Sequence, residues 1–225
     1  MKKAIVTGHS RGLGAALAAQ LEQEGWEVLG ISRSAGERVD LGDPAALLAW
    51  LEGDALPRFL ADASEVLLIN NAGLLGSAEV AGRADPAATV AAVNVNVTAL
   101  ILLTDAVLRE RPAGVPTRIA HISSGAGRRP VPGWSVYCAT KAAVDHHAAT
   151  VAAENLDGVR IAAIAPGVVD TDMQAAIRGS EGFPGQADFV ELKESGSLAS
   201  PDDAARGVLR LLNAPDFGSV IQLRV

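Results

Sequence analysis

Tyr137 and Lys141 stand four residues apart in the run Tyr-Cys-Ala-Thr-Lys, and Ser124 lies upstream of both. Side chains four apart on a helix share a face, so a helix here sets the lysine ammonium beside the tyrosine phenol. A neighbouring positive charge favours phenolate and lowers a pKa that starts near ~10. A tyrosine tuned in this way can exchange a proton with a carbonyl or an alcohol near neutral pH. That chemistry calls for a hydride source, and the start of the chain offers a place to hold one.

The segment Thr7-Gly8-His9-Ser10-Arg11-Gly12-Leu13-Gly14 directly follows a short apolar run. Gly8 permits a sharp turn, Gly12 lets the backbone approach a pyrophosphate, and Gly14 lets the next helix pack close. The helix N-terminus then presents unpaired N–H groups to an anion. The spacing is G-x-x-x-G-x-G rather than G-x-G-x-x-G, and its weight comes from the strand before it and the helix after it. The expected contacts in this loop are Gly8, Ser10, Arg11, Gly12, Leu13 and Gly14. An acid after the second strand suits a free ribose 2′-hydroxyl, whereas arginine suits a 2′-phosphate. Here the second strand ends in Ser32-Arg33, and Arg11 lies within reach of the same group. Opposite charges ~4 Å apart interact by about 4 kcal/mol at a surface-like dielectric, before desolvation. NADPH is therefore the expected cofactor, with NADH the alternative.

These residues need a scaffold that a chain of 225 residues can supply as one domain, 1–225. Apolar residues make up 49% and aromatic ones only 4%, which suits alanine-rich helices packed on a parallel sheet. A net charge of −7 without any basic stripe argues against a nucleic-acid partner. The single cysteine, Cys138, excludes an internal disulfide and fits a reducing compartment. Met1 to Gly8 is too short for a signal peptide. Thr89 to Leu103 is the best membrane candidate, but it falls short of ~20 apolar residues and carries Asn94 and Asn96, so a buried helix is expected. A soluble, cytoplasmic protein follows. The four histidines show no metal-ligand spacing, and His121 is expected to pack on its strand.

The apolar runs predict strands at Ala4–Thr7, Trp26–Ile31, Val66–Ile69, Arg118–Ile122, Val159–Ile164 and Ser219–Leu223, and a further strand fits roughly over Glu37–Asp40. Helices are expected over Arg11–Glu24, from Asp43 to about Leu60, from Pro86 to about Arg111, over Ser135–Asn155 and over Pro201–Leu212. Asp43 is the expected N-cap of the second of these. Only a few residues separate Arg33 from Asp40, too few for a crossover helix. The alternation gives an α/β domain, a Rossmann-type doubly wound parallel sheet of about seven strands with helices on both faces.

In order and spacing, Thr-Gly-x-x-x-Gly-x-Gly from Thr7, Asn-Asn-Ala-Gly from Asn70, Ser124, Tyr137-x-x-x-Lys141, and Pro166-Gly167 with Thr171 resemble the short-chain dehydrogenase/reductase family across essentially the whole chain. The resemblance selects Ser124 over Ser123 and Asn96 over Asn94. It implies that Tyr137 donates a proton to a carbonyl oxygen while Ser124 hydrogen-bonds that oxygen. Lys141 would tune the tyrosine and hold the nicotinamide ribose, and Asn96 would anchor a water leading from Lys141 to solvent. Asp40 would contact adenine, Asn71, Ala72 and Gly73 would line the cofactor cleft, and Pro166, Gly167, Val169 and Thr171 would meet the nicotinamide end. The stretch 170–200 resembles the substrate lid of sepiapterin reductases and bacterial benzil reductases, which reduce vicinal diketones with NADPH. Gln222 stands near the spot where sepiapterin reductases place an acid, so a pterin substrate fits poorly. Trp134 and Met173, with Ile177, Phe183 and Phe189, form an expected apolar pocket for a small-molecule ketone. The family's helices build symmetric assemblies, so a homodimer or homotetramer is expected. Two other functions use parts of the same sequence. An NAD-dependent alcohol dehydrogenase shares the scaffold, and a non-catalytic dinucleotide-binding sensor needs the glycine loop but not the four polar residues. Nucleotide-sugar epimerases and dehydratases need more chain after Ser200 than is present.

Overall fold

Residues 1–180 and 183–225 are described by a computed structural model. Among them the chain forms seven strands in one sheet, all parallel where they pair, in the order β3-β2-β1-β4-β5-β6-β7. The strands are β1 (Lys2–Thr7), β2 (Glu27–Ser32), β3 (Glu37–Arg38), β4 (Glu65–Asn70), β5 (Thr117–Ile122), β6 (Val159–Ala165) and β7 (Gln222–Arg224). The expected doubly wound sheet is thus present, with its ends shifted by a few residues. Strand β7 lies later than Ser219–Leu223 because Ser219 bends back to Asp216 before pairing starts.

Side chains alternate across the sheet with the period of two that strands impose. Ala4, Val6, Leu67, Ile69, Ala120, Ile122, Ala162 and Ile164 face one core, covered by α1 (Gly12–Gln23) and α9 (Pro201–Leu212). Ile5, Val66, Leu68, Ile119, Ile161 and Ala163 face the other, beneath α2 (Pro44–Leu51), α3 (Ala55–Leu60), α5 (Ala99–Glu110) and α6 (Ser135–Ala153). Each large aliphatic side chain buried this way contributes roughly 1.5–3 kcal/mol. The two cores hold the strand ends in fixed register.

The elements depart from the periodicity reading at three places. The helix expected from Asp43 to Leu60 divides into α2 and α3, with Gly53 between them. Asp43 does cap it, accepting from the Ala45 and Ala46 amides at 3.0 and 3.3 Å. The helix expected from Pro86 runs as α4 (Pro86–Val93), a π-helical turn over Asn94–Thr98, and α5. One extra residue per turn leaves hydropathy almost unchanged, so periodicity cannot reveal it. The buried-helix expectation for this run holds only in part. The helical run Pro86–Glu110 is 25 residues long and passes a length-and-composition test for a membrane span. Only 33% of an 18-residue apolar stretch of this run is buried, and Val90, Val93 and Ile101 are exposed. The third departure lies in the lid. It forms α7 (Asp172–Arg178) and α8 (Gln186–Glu194), and the expected span 170–200 includes residues 181 and 182, which lie outside the described residues.

Strands β2 and β3 pair in parallel with only residues 33–36 between them, so no crossover helix intervenes. Gly36 makes this possible. It has φ +62, and a Cβ there would stand 2.3 Å from the Gly30 carbonyl oxygen.

Candidate active site

The chain turns away from β1 in one direction and from β4 in the other. The crevice beyond the carboxyl ends of neighbouring strands is where such sheets bind ligands. Gly8, Asn71, Ser124 and Pro166 lie just past the ends of β1, β4, β5 and β6, and all line one cleft of 2180 Å³.

At the β1 end the glycine loop meets its steric requirements. Gly12 has φ +54, in the left-handed region. A Cβ on Gly14 would stand 2.2 Å from the Gly8 carbonyl oxygen and 2.5 Å from Asn71 Nδ2. The loop is tied to β4 through Thr7, whose Oγ1 accepts from the Asn71 and Ala72 amides, both at 2.9 Å. Asn71 Nδ2 donates to the Thr7 carbonyl at 2.9 Å, so its side chain braces the loop. Leu13 turns its side chain into the core while its backbone stands at the amino end of α1, and Ser10 is exposed beside it. A twelve-residue helix starting at a loop without room for a Cβ fits a dinucleotide pyrophosphate.

The ribose end is organised differently from the simplest expectation. Ser32 Oγ donates to the Ala35 carbonyl at 2.8 Å and accepts from the Ser34 and Ala35 amides, which commits its hydroxyl to the turn. Arg33 is exposed at the end of β2. Arg11 pairs at 2.7 Å with Asp172, the first residue of α7, on an exposed surface. Asp40 is exposed, and its Oδ1 accepts from the Gly42 amide at 2.9 Å. All four line the cleft.

At the other end, Ser124, Tyr137 and Lys141 come together. Tyr137 and Lys141 are both buried on α6. Burial pushes the Tyr137 phenol up to about 12, and the neighbouring Ser124 hydroxyl opposes this only in part. That reverses the lowering expected from a lysine neighbour. Lys141 Nζ lies 5.6 Å from the tyrosine ring centroid and donates instead to the Ile122 carbonyl at 2.7 Å, so loss of hydration outweighs its charge. Burial pulls the Lys141 ammonium down to about 8, against the Asp145 carboxylate, which raises it.

Asn96 sits in the π-helical turn, 1% exposed. Its Oδ1 accepts from the Leu74 amide at 2.7 Å, and its Nδ2 donates to the Leu74 carbonyl at 2.8 Å and to Thr140 Oγ1 at 3.0 Å. Asn94 turns away to the Gly42 carbonyl. Gly73 lies between Asn96 and Lys141, since a Cβ on it would stand 3.6 Å from Asn96 Oδ1 and 3.7 Å from Lys141 Nζ. Gly167 (φ +83), Val169 and Thr171 follow β6 along the cleft, and Thr171 Cγ2 comes within 3.2 Å of where a Gly12 Cβ would be.

Trp134 packs edge-on to Tyr137, with ring centroids 5.5 Å apart. It stacks on Phe183 at 5.1 Å and meets Phe189 of α8 at 5.1 Å, with Met173 and Ile177 completing the group. Trp134 Nε1 is buried without a hydrogen-bond partner among the described residues. His121 does not reach the cleft. It is fully buried between Asn70 Nδ2 at 3.3 Å and His147 Nδ1 at 3.1 Å. Among the described residues no group of three His, Cys, Asp or Glu could hold a metal.

Sequence reasoning missed the Ser123, Arg128 and Asp145 cluster beneath Ser124. Asp145 Oδ1 accepts from Ser123 Oγ at 2.5 Å, and its Oδ2 accepts from Arg128 Nε at 3.0 Å. The available signal was an acid four residues after Lys141, one turn further along the same helix face.

The sequence profile of the short chain dehydrogenase family matches residues 64–182. A benzil reductase ((S)-benzoin forming) of Bacillus cereus is 35% identical over 99% of this chain and 99% of its own. A sepiapterin reductase of Meriones unguiculatus is 35% identical, covering 96% of this chain and 92% of its own. The crystal structure of a short chain dehydrogenase from Burkholderia cenocepacia in complex with NADP superposes with a TM-score of 0.78. It is 25% identical and covers 100% of this chain and 96% of that one.

Proposed function

Since this chain belongs to the short-chain dehydrogenase/reductase family of NAD(P)-dependent oxidoreductases, we propose that it reduces an apolar ketone or vicinal diketone to an alcohol, with NADPH as the preferred hydride source and Tyr137 as the general acid. The observation that carries this reading is the meeting of Ser124, Tyr137 and Lys141 at one end of a cleft whose other end is the glycine loop. The glycine loop with Arg11 and Arg33 would hold NADPH, which would supply the hydride that the carbonyl carbon accepts. Burial holds the Tyr137 phenol protonated at neutral pH, the state a proton donor needs. Ser124 orients the carbonyl oxygen and shares the charge that develops on it. The Lys141 ammonium lowers the cost of the phenolate left behind, and Asn96 fixes the loop beside Lys141 through Leu74.

The aromatic wall of Trp134, Phe183 and Phe189 suits an aromatic substituent, in keeping with the benzil reductase relative. Arg33 and Arg11 favour the 2′-phosphate, and a neighbour binds NADP. The exposed Val90, Val93 and Ile101 on one helical run suit a homodimer or homotetramer interface. Steady-state reduction of benzil with NADPH and with NADH tests the reading. Turnover with a kcat/KM that favours NADPH is expected. NADPH binding without reduction of any ketone or diketone would contradict it, and a preference for NADH would favour the alcohol dehydrogenase alternative.

A further inference from the structure

Asp145 is a carboxylate only 3% exposed, on the helix that carries Tyr137 and Lys141, and it has no part in the proton transfer just described. An ionised carboxylate in such a place is costly unless both its oxygens are paired. Here they are, and by residues that bracket one short segment. Ser123 precedes Ser124 and donates to Oδ1 at 2.5 Å, while Arg128 follows the 3-10 turn Gly125–Gly127 and donates from Nε to Oδ2 at 3.0 Å. Between these two tethers the turn is pressed onto α6. A Cβ on Gly127 would stand 2.8 Å from the Lys141 carbonyl carbon, so the contact is backbone on backbone. Within the turn, Ser124 Oγ accepts from the Ala126 amide at 3.2 Å, which fixes the hydroxyl relative to the tethered backbone.

We propose that Asp145 is a positioning residue: its carboxylate clamps both ends of the Ser124 turn to α6, setting the spacing of Ser124 from Tyr137, and stands four residues from Lys141 on the same helix as its counter-charge. The proposal rests on the reductase reading for its kinetic test but not for its spectroscopic one. Hydrogen-bond donors to a developing oxyanion work only when held in place, and a misplacement of ~1 Å can cost ~100-fold in rate. The charged and titratable groups around Lys141 are Tyr137 and Asp145 on its own helix and His121 of β5 with His147 behind it, while Arg128 on the turn meets Asp145 rather than Lys141. Asp145 is the anion of this group, and its loss removes the charge that favours the ammonium.

The experiment compares full-length wild type with Asp145→Asn. It measures kcat and KM for benzil, NADPH affinity by fluorescence, and the Lys141 titration midpoint by NMR of ε-13C-lysine. The lysines are at positions 2, 3, 141 and 193, so the resonance with a low midpoint is readily assigned. Expected are a kcat reduced by about 10- to 100-fold with NADPH affinity within about threefold of wild type, and a Lys141 midpoint moved to lower pH. Wild-type kcat in the folded variant overturns the proposal. So does a reduced kcat with the Lys141 midpoint unmoved, which is the signature of a merely structural role. If Asp145→Asn does not fold, Ser123→Ala and Arg128→Gln decide. A reduced kcat in either, with thermal midpoint and NADPH affinity retained, supports the clamp, and wild-type kcat in both removes it. Wild-type protein that leaves benzil untouched counts against the reductase reading alone, and the Lys141 midpoints of wild type and variant then decide the clamp.

Discussion

At the scale of single residues, cofactor choice and proton transfer rest on charges whose settings differ sharply. Arg33 is exposed, so its attraction for a 2′-phosphate is felt through solvent and is screened by salt. Arg33→Asp should weaken NADPH binding at least about tenfold while leaving NADH binding the same or tighter, an outcome that fluorescence titration with both cofactors would check. An unchanged ratio would move the selectivity to Arg11, for which Asp172 competes with the 2′-phosphate. Tyr137 and Lys141 are buried, and there hydration dominates over pair charges. The sequence made their meeting legible through a four-residue spacing, but not the direction of the tyrosine shift, because spacing carries no information on how completely water is excluded.

At the scale of elements, the turns matter more than the strands and helices they join. The five inner strands announced themselves as apolar runs, whereas the edge strands Glu37–Arg38 and Gln222–Arg224 did not, and the Asp43 cap and the glycine loop were legible because each needs a particular residue type at a particular place. The π-helical turn that buries Asn96, the break between α2 and α3, and the clamp on the Ser124 turn were not. The first and the last depend on contacts between segments far apart in the chain, Asn96 with Leu74 and Asp145 with Ser123. The glycine loop yields a sharp expectation. Gly14→Ala places a Cβ against the Gly8 carbonyl at 2.2 Å, where only backbone movement can relieve it. Thermal melts should show a loss of about 1–3 kcal/mol, and calorimetry should show NADPH affinity falling with it. A variant as stable as wild type that binds NADPH normally would mean that the loop adjusts freely.

At the scale of the whole molecule, the sheet gathers residues from the ends of four strands into one cleft, and the same burial that shapes the cleft sets a pH response. Burial, then the neighbouring His147 and Lys141, bring His121 down to about 3, and burial also lowers His147. Both are favoured neutral in the fold, while an unfolded histidine titrates near ~6.5. The unfolded chain therefore binds more protons below that pH, so stability is complete above ~6.5 and declines as pH falls through the range toward 3. Thermal midpoints measured from pH 7 to pH 5 should fall, and His121→Asn should flatten the slope. An equal slope in the variant would assign the acid sensitivity to other groups. The central claim is the proton donation by Tyr137, the single tyrosine of the chain. Its most direct test follows NADPH absorbance during benzil reduction by wild type and by Tyr137→Phe, each shown beforehand to bind NADPH. The account predicts rapid loss of NADPH with wild type and a rate lower by about 10²–10⁴-fold in the variant. Comparable rates in the two proteins would contradict it.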